Sequence, residues 1–289
     1  MNSLIKKSFL PLFALFILAQ LAACVSSDKK EMEKYTIQPH FTDGDQYSFI
    51  VEQEQNINSM NIASIQQNIT STFDYAAFVN SEGELLLNVT FSHLKFSSSS
   101  PAGEVEYDSN HPDTTSIINN MASAVGQKFE LQFNENGSIK NIHEKLDESK
   151  PARPEDAMNF MPIVKNNFDV YPGYPVSIGE TWQTSTVTSL ANFSINLKSE
   201  YQLKAIHQDT AIISVLATLE LPSTTIDQQG YKYKVQISGK QEGEYKINLE
   251  TGLIISGTLT QNAEAIVNSM GQSLPMTIHS VSKAYIKKR

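Results

Sequence analysis

Phe193-Ser194-Ile195-Asn196-Leu197-Lys198-Ser199-Glu200-Tyr201-Gln202-Leu203 decides the fold. Phe193, Ile195, Leu197, Tyr201 and Leu203 alternate with Ser194, Asn196, Lys198, Glu200 and Gln202. An extended chain turns successive side chains to opposite faces, so this pattern makes one apolar face and one wet face. Antiparallel sheets are built that way, whereas parallel strands, covered on both sides, read as continuous apolar runs. The same alternation recurs at Phe129, Leu131 and Phe133, and again at Tyr245, Ile247 and Leu249.

Working outward, the pattern predicts strands over 46–57, 66–80, 84–97, 103–108, 126–133, 138–143, 180–189, 192–207, 210–221, 231–249 and 252–267, with another near 274–286. Asn136-Gly137 and Thr251-Gly252 read as hairpin turns, where glycine supplies a positive φ. Two short helices interrupt the strands. Residues 113–125 carry an Ile117, Ile118, Met121 and Val125 stripe behind the capping candidates Asp113 and Thr114. Residues 154–168 open on Pro154-Glu155-Asp156, acids suited to a helix N-terminus, and Pro162 is expected to kink or end that helix.

The chain also repeats itself. Gly126-Gln127-Lys128-Phe129-Glu130-Leu131 leads through Asn136-Gly137 to Ile139, as Gly243 to Leu249 leads through Thr251-Gly252 to Ile254. Gly44-Asp45-Gln46-Tyr47 parallels Gly179-Glu180-Thr181-Trp182. The expected organisation is a first β unit over 35–143, a connecting segment with a helix over 144–178, and a second β unit over 179–289. The expected fold is mainly β: a large curled antiparallel sheet, half-barrel-like, made of two repeated meander units. A sheet of so many strands tends to curl, and its apolar face needs cover.

The N-terminus gives an address. Lys6 and Lys7 precede an apolar run from Phe9 to Ala19, and Leu21-Ala22-Ala23-Cys24 follows. This is the layout of a secretory signal over 1–23 ending in a lipobox. Cys24, the only cysteine, is the expected lipidation site, and Val25 to Lys34 the expected tether. Acyl chains on Cys24 would hold the protein to a membrane, since two or more chains anchor stably. Envelope sorting as known for such lipoproteins takes Asp after the cysteine as a retention signal for the inner membrane. Val25 therefore favours the outer membrane, facing the periplasm.

One cysteine used for lipid leaves no disulfide and no cysteine metal site. The net charge of −9 argues against nucleic acid as a partner. The basic end, Lys283 with Lys287, Lys288 and Arg289, reads as a solvated terminus. Motifs for hydrolysis or phosphate binding are missing: there is no Gly-x-Ser-x-Gly, no His-Glu-x-x-His and no phosphate loop. His143-Glu144 has Asp147 where a zinc helix needs its second histidine, and Ser92-x-x-Lys95 and Ser280-x-x-Lys283 fall on strands, where positions three apart face opposite ways. No catalytic residue, metal or cofactor is expected.

The lipobox, Glu106-Tyr107-Asp108-Ser109, the glycine turn after Phe129, and Tyr171-Pro172-Gly173-Tyr174-Pro175-Val176-Ser177-Ile178-Gly179-Glu180-Thr181-Trp182 together resemble a family of uncharacterised bacterial envelope lipoproteins carrying a domain of unknown function. The Pro-Val-x-x-Gly-Glu-Thr-Trp stretch is the most specific of these marks. The resemblance brings no activity and no site residues. From the residues themselves, the expected function is binding of a lipid or other hydrophobic ligand in a groove of the sheet. Met158, Met161 and Phe168 on the second helix are the expected lining, because flexible Met side chains suit a groove that adapts to its ligand. The alternative is a non-catalytic structural or assembly partner of other envelope proteins. Trp182, the sole tryptophan, is expected to be buried and structural.

Overall fold

The computed structural model describes residues 32–59, 62–111, 124–145, 161–190, 193–228, 231–269 and 272–289. Its strands are β1 (Lys34–Tyr35), β2 (Gln46–Ser59), β3 (Ile62–Val79), β4 (Leu85–Ser100), β5 (Gly103–Asp108), β6 (Lys128–Phe133) and β7 (Ile139–Lys145). A short helix α1 (Met161–Asn166) follows, then β8 (Val176–Ser177), β9 (Thr181–Leu190), β10 (Phe193–His207), β11 (Thr210–Gln228), β12 (Tyr231–Asn248), β13 (Ile254–Ser269) and β14 (Gln272–Lys288). Residues 34–289 form a single compact unit.

Twelve strands make one antiparallel sheet in the order β7-β6-β4-β3-β2-β14-β13-β12-β11-β10-β9, with β5 also paired to β4. The sheet is not closed: β7 and β9 are its edges. Each half runs in sequence order, and β14 joins the halves by pairing with β2. The β6–β7 hairpin and the β12–β13 hairpin hold the fourth and fifth places of their halves once β5 is set aside.

Two details depart from the sequence reading. β11, expected to stop at 221, runs on to Gln228, because a register shift between Leu221 and Thr224 carries the strand past Pro222. A bulge is the usual way to keep proline in a strand. Of the helix expected over 154–168, residues 154–160 lie outside the described residues, and Met161–Asn166 is helical. Pro162 sits in its first turn, where the missing N–H has no helical partner anyway. Phe168 falls in the turn after the helix, not on it. The other expected helix, over 113–125, lies almost wholly outside the described residues.

Side chains of one parity form the core. Phe73, Phe91, Phe129, Leu131, Leu203, Ile213 and Ile247 are at most 1 % exposed and belong to one cluster drawn from both halves. Its end of the sheet is sealed by three pieces of chain. The strap 36–42 crosses beneath both glycine hairpin turns, with His40 N–H donating to the Thr251 carbonyl at 2.8 Å. At Gly252, φ is +66° and an added Cβ would overlap the Gln38 carbonyl, so the turn that pairs β12 with β13 also sets how close the strap can come. β1 pairs with β8 to form a small second sheet. The third piece is α1 with the turn after it, which packs against both edge strands, β9 and β7.

Candidate functional site

The gap between the sheet edges is filled by an aromatic seam. Phe168, 8 % exposed, lies 6.2 Å from the Tyr75 ring, 5.3 Å from Phe133 and 6.3 Å from Tyr171. Phe133 in turn meets Phe41 at 5.9 Å. Tyr171 donates its hydroxyl to the Gly252 carbonyl at 2.7 Å, tying the seam to the β12–β13 turn. Trp182 is 5 % exposed, stacks on Tyr201 at 5.7 Å and donates its indole N–H to the Val170 carbonyl at 3.2 Å. Burial raises the hydroxyl pKa of Tyr75, Tyr171 and Tyr245, so all three stay neutral. Asp169 sits in the same seam beside β9. Burial raises its carboxyl pKa, against the opposing pull of Lys165 and a hydrogen bond with Thr186.

Of the expected ligand-lining residues, Met161 is half-buried at the start of α1 and packs against the main cluster. Phe168 is part of the seam, and Met158 lies outside the described residues, as does Cys24. The structure thus brings Met161 and Phe168 to the sealed end of the sheet.

Further along the apolar face the composition changes. Thr184, Ser199, Ala217, Gln241, Gln261, Ser280, Gln55, Gln67 and Ser98 stand directly opposite one another from β9 across to β4. This belt of small and amide side chains interrupts the apolar surface. Beyond it lies a second, separate cluster: Ile195, Leu219, Leu221, Val235, Ile237, Ala263 and Ala265, each at most 9 % exposed. Leu197, Tyr233, Val267, Met276 and Ile278 rim it and are only partly buried. β12 and β13 approach closely at two glycines, Gly239 beside this cluster and Gly243 on the other side of the belt. At Gly243 an added Cβ would overlap the Thr258 carbonyl, and at Gly239 it would come within 2.7 Å of the Ala263 methyl. Glycine is therefore needed at Gly243 for the approach.

The opposite face carries a depression of about 1650 Å3 over β9–β14. Its exposed side chains include Lys198, Glu200, Leu216, Thr218, Lys240 and Glu242. They come from cross-strand neighbours: Lys198 faces Thr218, which faces Lys240, while Glu200 faces Leu216, which faces Glu242. Two rows of opposite charge thus run side by side. His279, whose Nδ1 lies 2.8 Å from Asn262 Oδ1, closes one end. Leu216, 59 % exposed, is the apolar spot in this surface. The buried lining residues Ala217, Leu219 and Ile237 point their side chains to the other face, so the depression opens on the wet side. Each row comes from successive strands, and the residues line up only through the pairing register, which the sequence pattern does not give.

The other marked segments find structural partners. Asp108 accepts hydrogen bonds from Asn110 N–H at 2.9 Å and meets His93 Nε2 at 2.9 Å, and both contacts lower its carboxyl pKa. Ser109 Oγ accepts from Leu94 N–H at 3.0 Å, so Glu106–Ser109 clips onto the bulged middle of β4. At the basic end, Arg289 pairs with Asp74 at 2.9 Å and Lys288 lies 3.6 Å from Asp45. Among the described residues, no three His, Cys, Asp or Glu side chains stand close enough to hold a metal, and no helix is long and apolar enough to cross a membrane.

A family model described as "Family of unknown function (DUF6263)" matches residues 82–147 and 157–254. Those blocks cover more than half of the chain, and the chain belongs to that family. No curated protein matches it. Among solved structures, one titled for lipid–protein interactions in lipovitellin is similar at 12 % identity and a TM-score of 0.48. The likeness covers 86 % of this chain and 25 % of that one, so the chain spans about a quarter of its length. The COG4313 outer membrane channel from Pseudomonas putida F1 is similar at 9 % identity and a TM-score of 0.23, over 86 % of this chain and 97 % of that one.

Proposed function

We propose that this member of the family is a non-catalytic envelope lipoprotein, anchored through acyl chains on Cys24 in the outer membrane and facing the periplasm, whose sheet serves as a docking scaffold for an envelope partner. The observation that supports this reading is the contrast between the faces of the sheet. The apolar face is largely filled by its own side chains in two clusters, whereas the wet face offers an open depression with rows of lysine and glutamate. A partner suited to it is a protein surface with both charge signs and a small apolar contact for Leu216. Paired charge rows of this kind fix register and orientation more than they add affinity. The test is a photoreactive residue in place of Thr218 in the full chain in its native membrane. A discrete adduct that disappears in the Lys198→Glu, Lys240→Glu double variant is expected; no adduct, or one indifferent to the charge reversal, would overturn the reading.

A second reading keeps a lipid or other hydrophobic molecule as the ligand, lined by Met158, Met161 and Phe168. The half-buried Met161 and the partly covered rim of the second cluster favour it. Phe168 opposes it, since an acyl chain entering there would displace stacked rings. Mass spectrometry of lipid extracts from protein released from its anchor separates the readings. Lipid in stoichiometric amount would favour the second reading.

A further inference from the structure

The chain enters the folded unit at the sealed end of the sheet, and that end carries a group of exposed apolar side chains. Lys34, the first residue of the unit, pairs with Ser177 in β8. Two residues further on, Gly179 donates its N–H to the Leu203 carbonyl at 2.7 Å. Val79, Tyr174, Ile178 and Ile255, each between 42 % and 49 % exposed, stand at this end. Val79 closes β3 and donates its N–H to Asp43. Ile255 follows the β12–β13 turn, and Tyr174 follows Gly173, whose carbonyl accepts from Asn136 in the β6–β7 turn. Tyr174 and Ile178 belong to the Tyr171–Trp182 segment. That segment is fastened by the Tyr171 hydroxyl on Gly252, by buried Val176 and Ser177, and by buried Trp182. Its exposed apolar side chains are therefore held out from a fixed piece of chain. Grouped exposure of this kind marks a contact surface.

We propose that this end rests on the leaflet that holds the acyl chains of Cys24, with Tyr174 and Ile178 set into its headgroup region and the strands standing away from it. The inference rests on the lipoprotein reading above. Chain length decides which end can touch. Ten residues lead from Cys24 to Lys34, and a fully extended chain of that length reaches at most about 36 Å. Lys34 enters near the row Leu203–Ile213–Tyr245. From Tyr245 to Tyr231, at the other end of β12, the strand spans about 45 Å. The far end of the sheet therefore cannot lie on the bilayer that holds Cys24. The wet face is unsuited as well, since laying it on lipid would strip water from Lys198, Glu200, Lys240 and Glu242. Tyr174 fits the headgroup level, where an aromatic body with a polar tip is favoured. Asp43, Glu82, Asp209 and Glu250 are exposed at the same end, so the contact is apolar and does not depend on anionic lipid. The acyl chains hold the protein to the membrane; the tip sets its orientation and leaves the depression open to the side.

The test uses the full acylated chain, purified from its native membrane and reconstituted into phosphatidylcholine vesicles. Cys24 is the only native cysteine and carries the lipid, so Ile178→Cys adds one free thiol for an environment-sensitive fluorophore. Ala102→Cys, in the β4–β5 turn at the far end, and Thr218→Cys, in the depression, are the controls. The label at position 178 is expected to emit at shorter wavelength than the other two and to be quenched by brominated lipid, at low and high salt alike. Labels at positions 102 and 218 are expected to report water and to escape quenching. Adding Tyr174→Asp to Ile178→Cys is expected to reduce both the shift and the quenching while the protein still floats with the vesicles. If the parent chain floats but the label at 178 is as wet as that at 102, the orientation is wrong and the anchor stands. Stronger quenching at 102 or 218, or a shift at 178 abolished by salt, would also overturn the proposal. A parent chain that does not float with vesicles would overturn the anchor and the proposal together.

Discussion

The two ends of the apolar face are held together differently. At the sealed end, aromatic rings from the strap, the seam and both halves of the sheet interlock, and hydrogen bonds from Trp182 and Tyr171 fasten the seam in place. Beyond the Gln and Ser belt, the second cluster is aliphatic, comes from one half of the sheet, and is rimmed by partly covered residues. The difference separates two uses of hydrophobic burial. One end uses it to close the gap between edge strands β7 and β9; the other uses it to pack β10–β13 against one another. Both leave the wet face free.

The largest effect is expected at Trp182. Truncation to Ala removes the stacking on Tyr201 and the bond to Val170 and leaves a cavity at the seam. Loss of a large buried aromatic costs about 3–5 kcal/mol, which lowers the melting temperature by roughly 10 °C in a domain of this size. Ile237→Ala in the second cluster is expected to cost about 2 kcal/mol, at the low end for such changes, because its half-covered rim can relax into the space. Equal losses at the two positions, measured by thermal or urea unfolding, would erase the distinction between the ends.

A smaller effect of opposite sign is expected at Asp169. Its folded pKa is raised by burial. Such a group favours the fold below the usual carboxylate pKa, and that contribution is lost as pH rises through the folded value. Asp169→Asn should therefore raise the melting temperature at neutral pH and bring little gain in acid. A variant less stable than the parent at neutral pH would show that the hydrogen bond to Thr186 outweighs the desolvation of the charge.

The alternating stretches made the sheet legible, and the strand at 103–108 is found with the bounds its pattern implies. Gly137 and Gly252 both carry the positive φ expected of their turns. Trp182 is buried behind the turn that precedes it. Phe168 was harder to place, since a helical stripe was read into 154–168 and the described helix ends at Asn166. Spacing alone does not show whether an aromatic lies on a helix or is drawn off it by rings on other strands. The Gln belt is hidden from the sequence for another reason. Gln55 and Gln67 are close in sequence, but their alignment with Gln241 and Gln261 requires β14 to pair with β2. No local pattern encodes a pairing between residues more than two hundred positions apart.

The claim that binding uses the wet face, with the apolar face reserved for folding, is tested most directly by placing the same photoreactive residue at Thr218 in the depression and, separately, at Ile278 on the rim of the second cluster. Both full chains are irradiated in native membranes and their adducts compared by gel and mass spectrometry. The account predicts a discrete protein adduct from position 218 and none of comparable yield from position 278. A lipid adduct from position 278, with nothing from position 218, would contradict it.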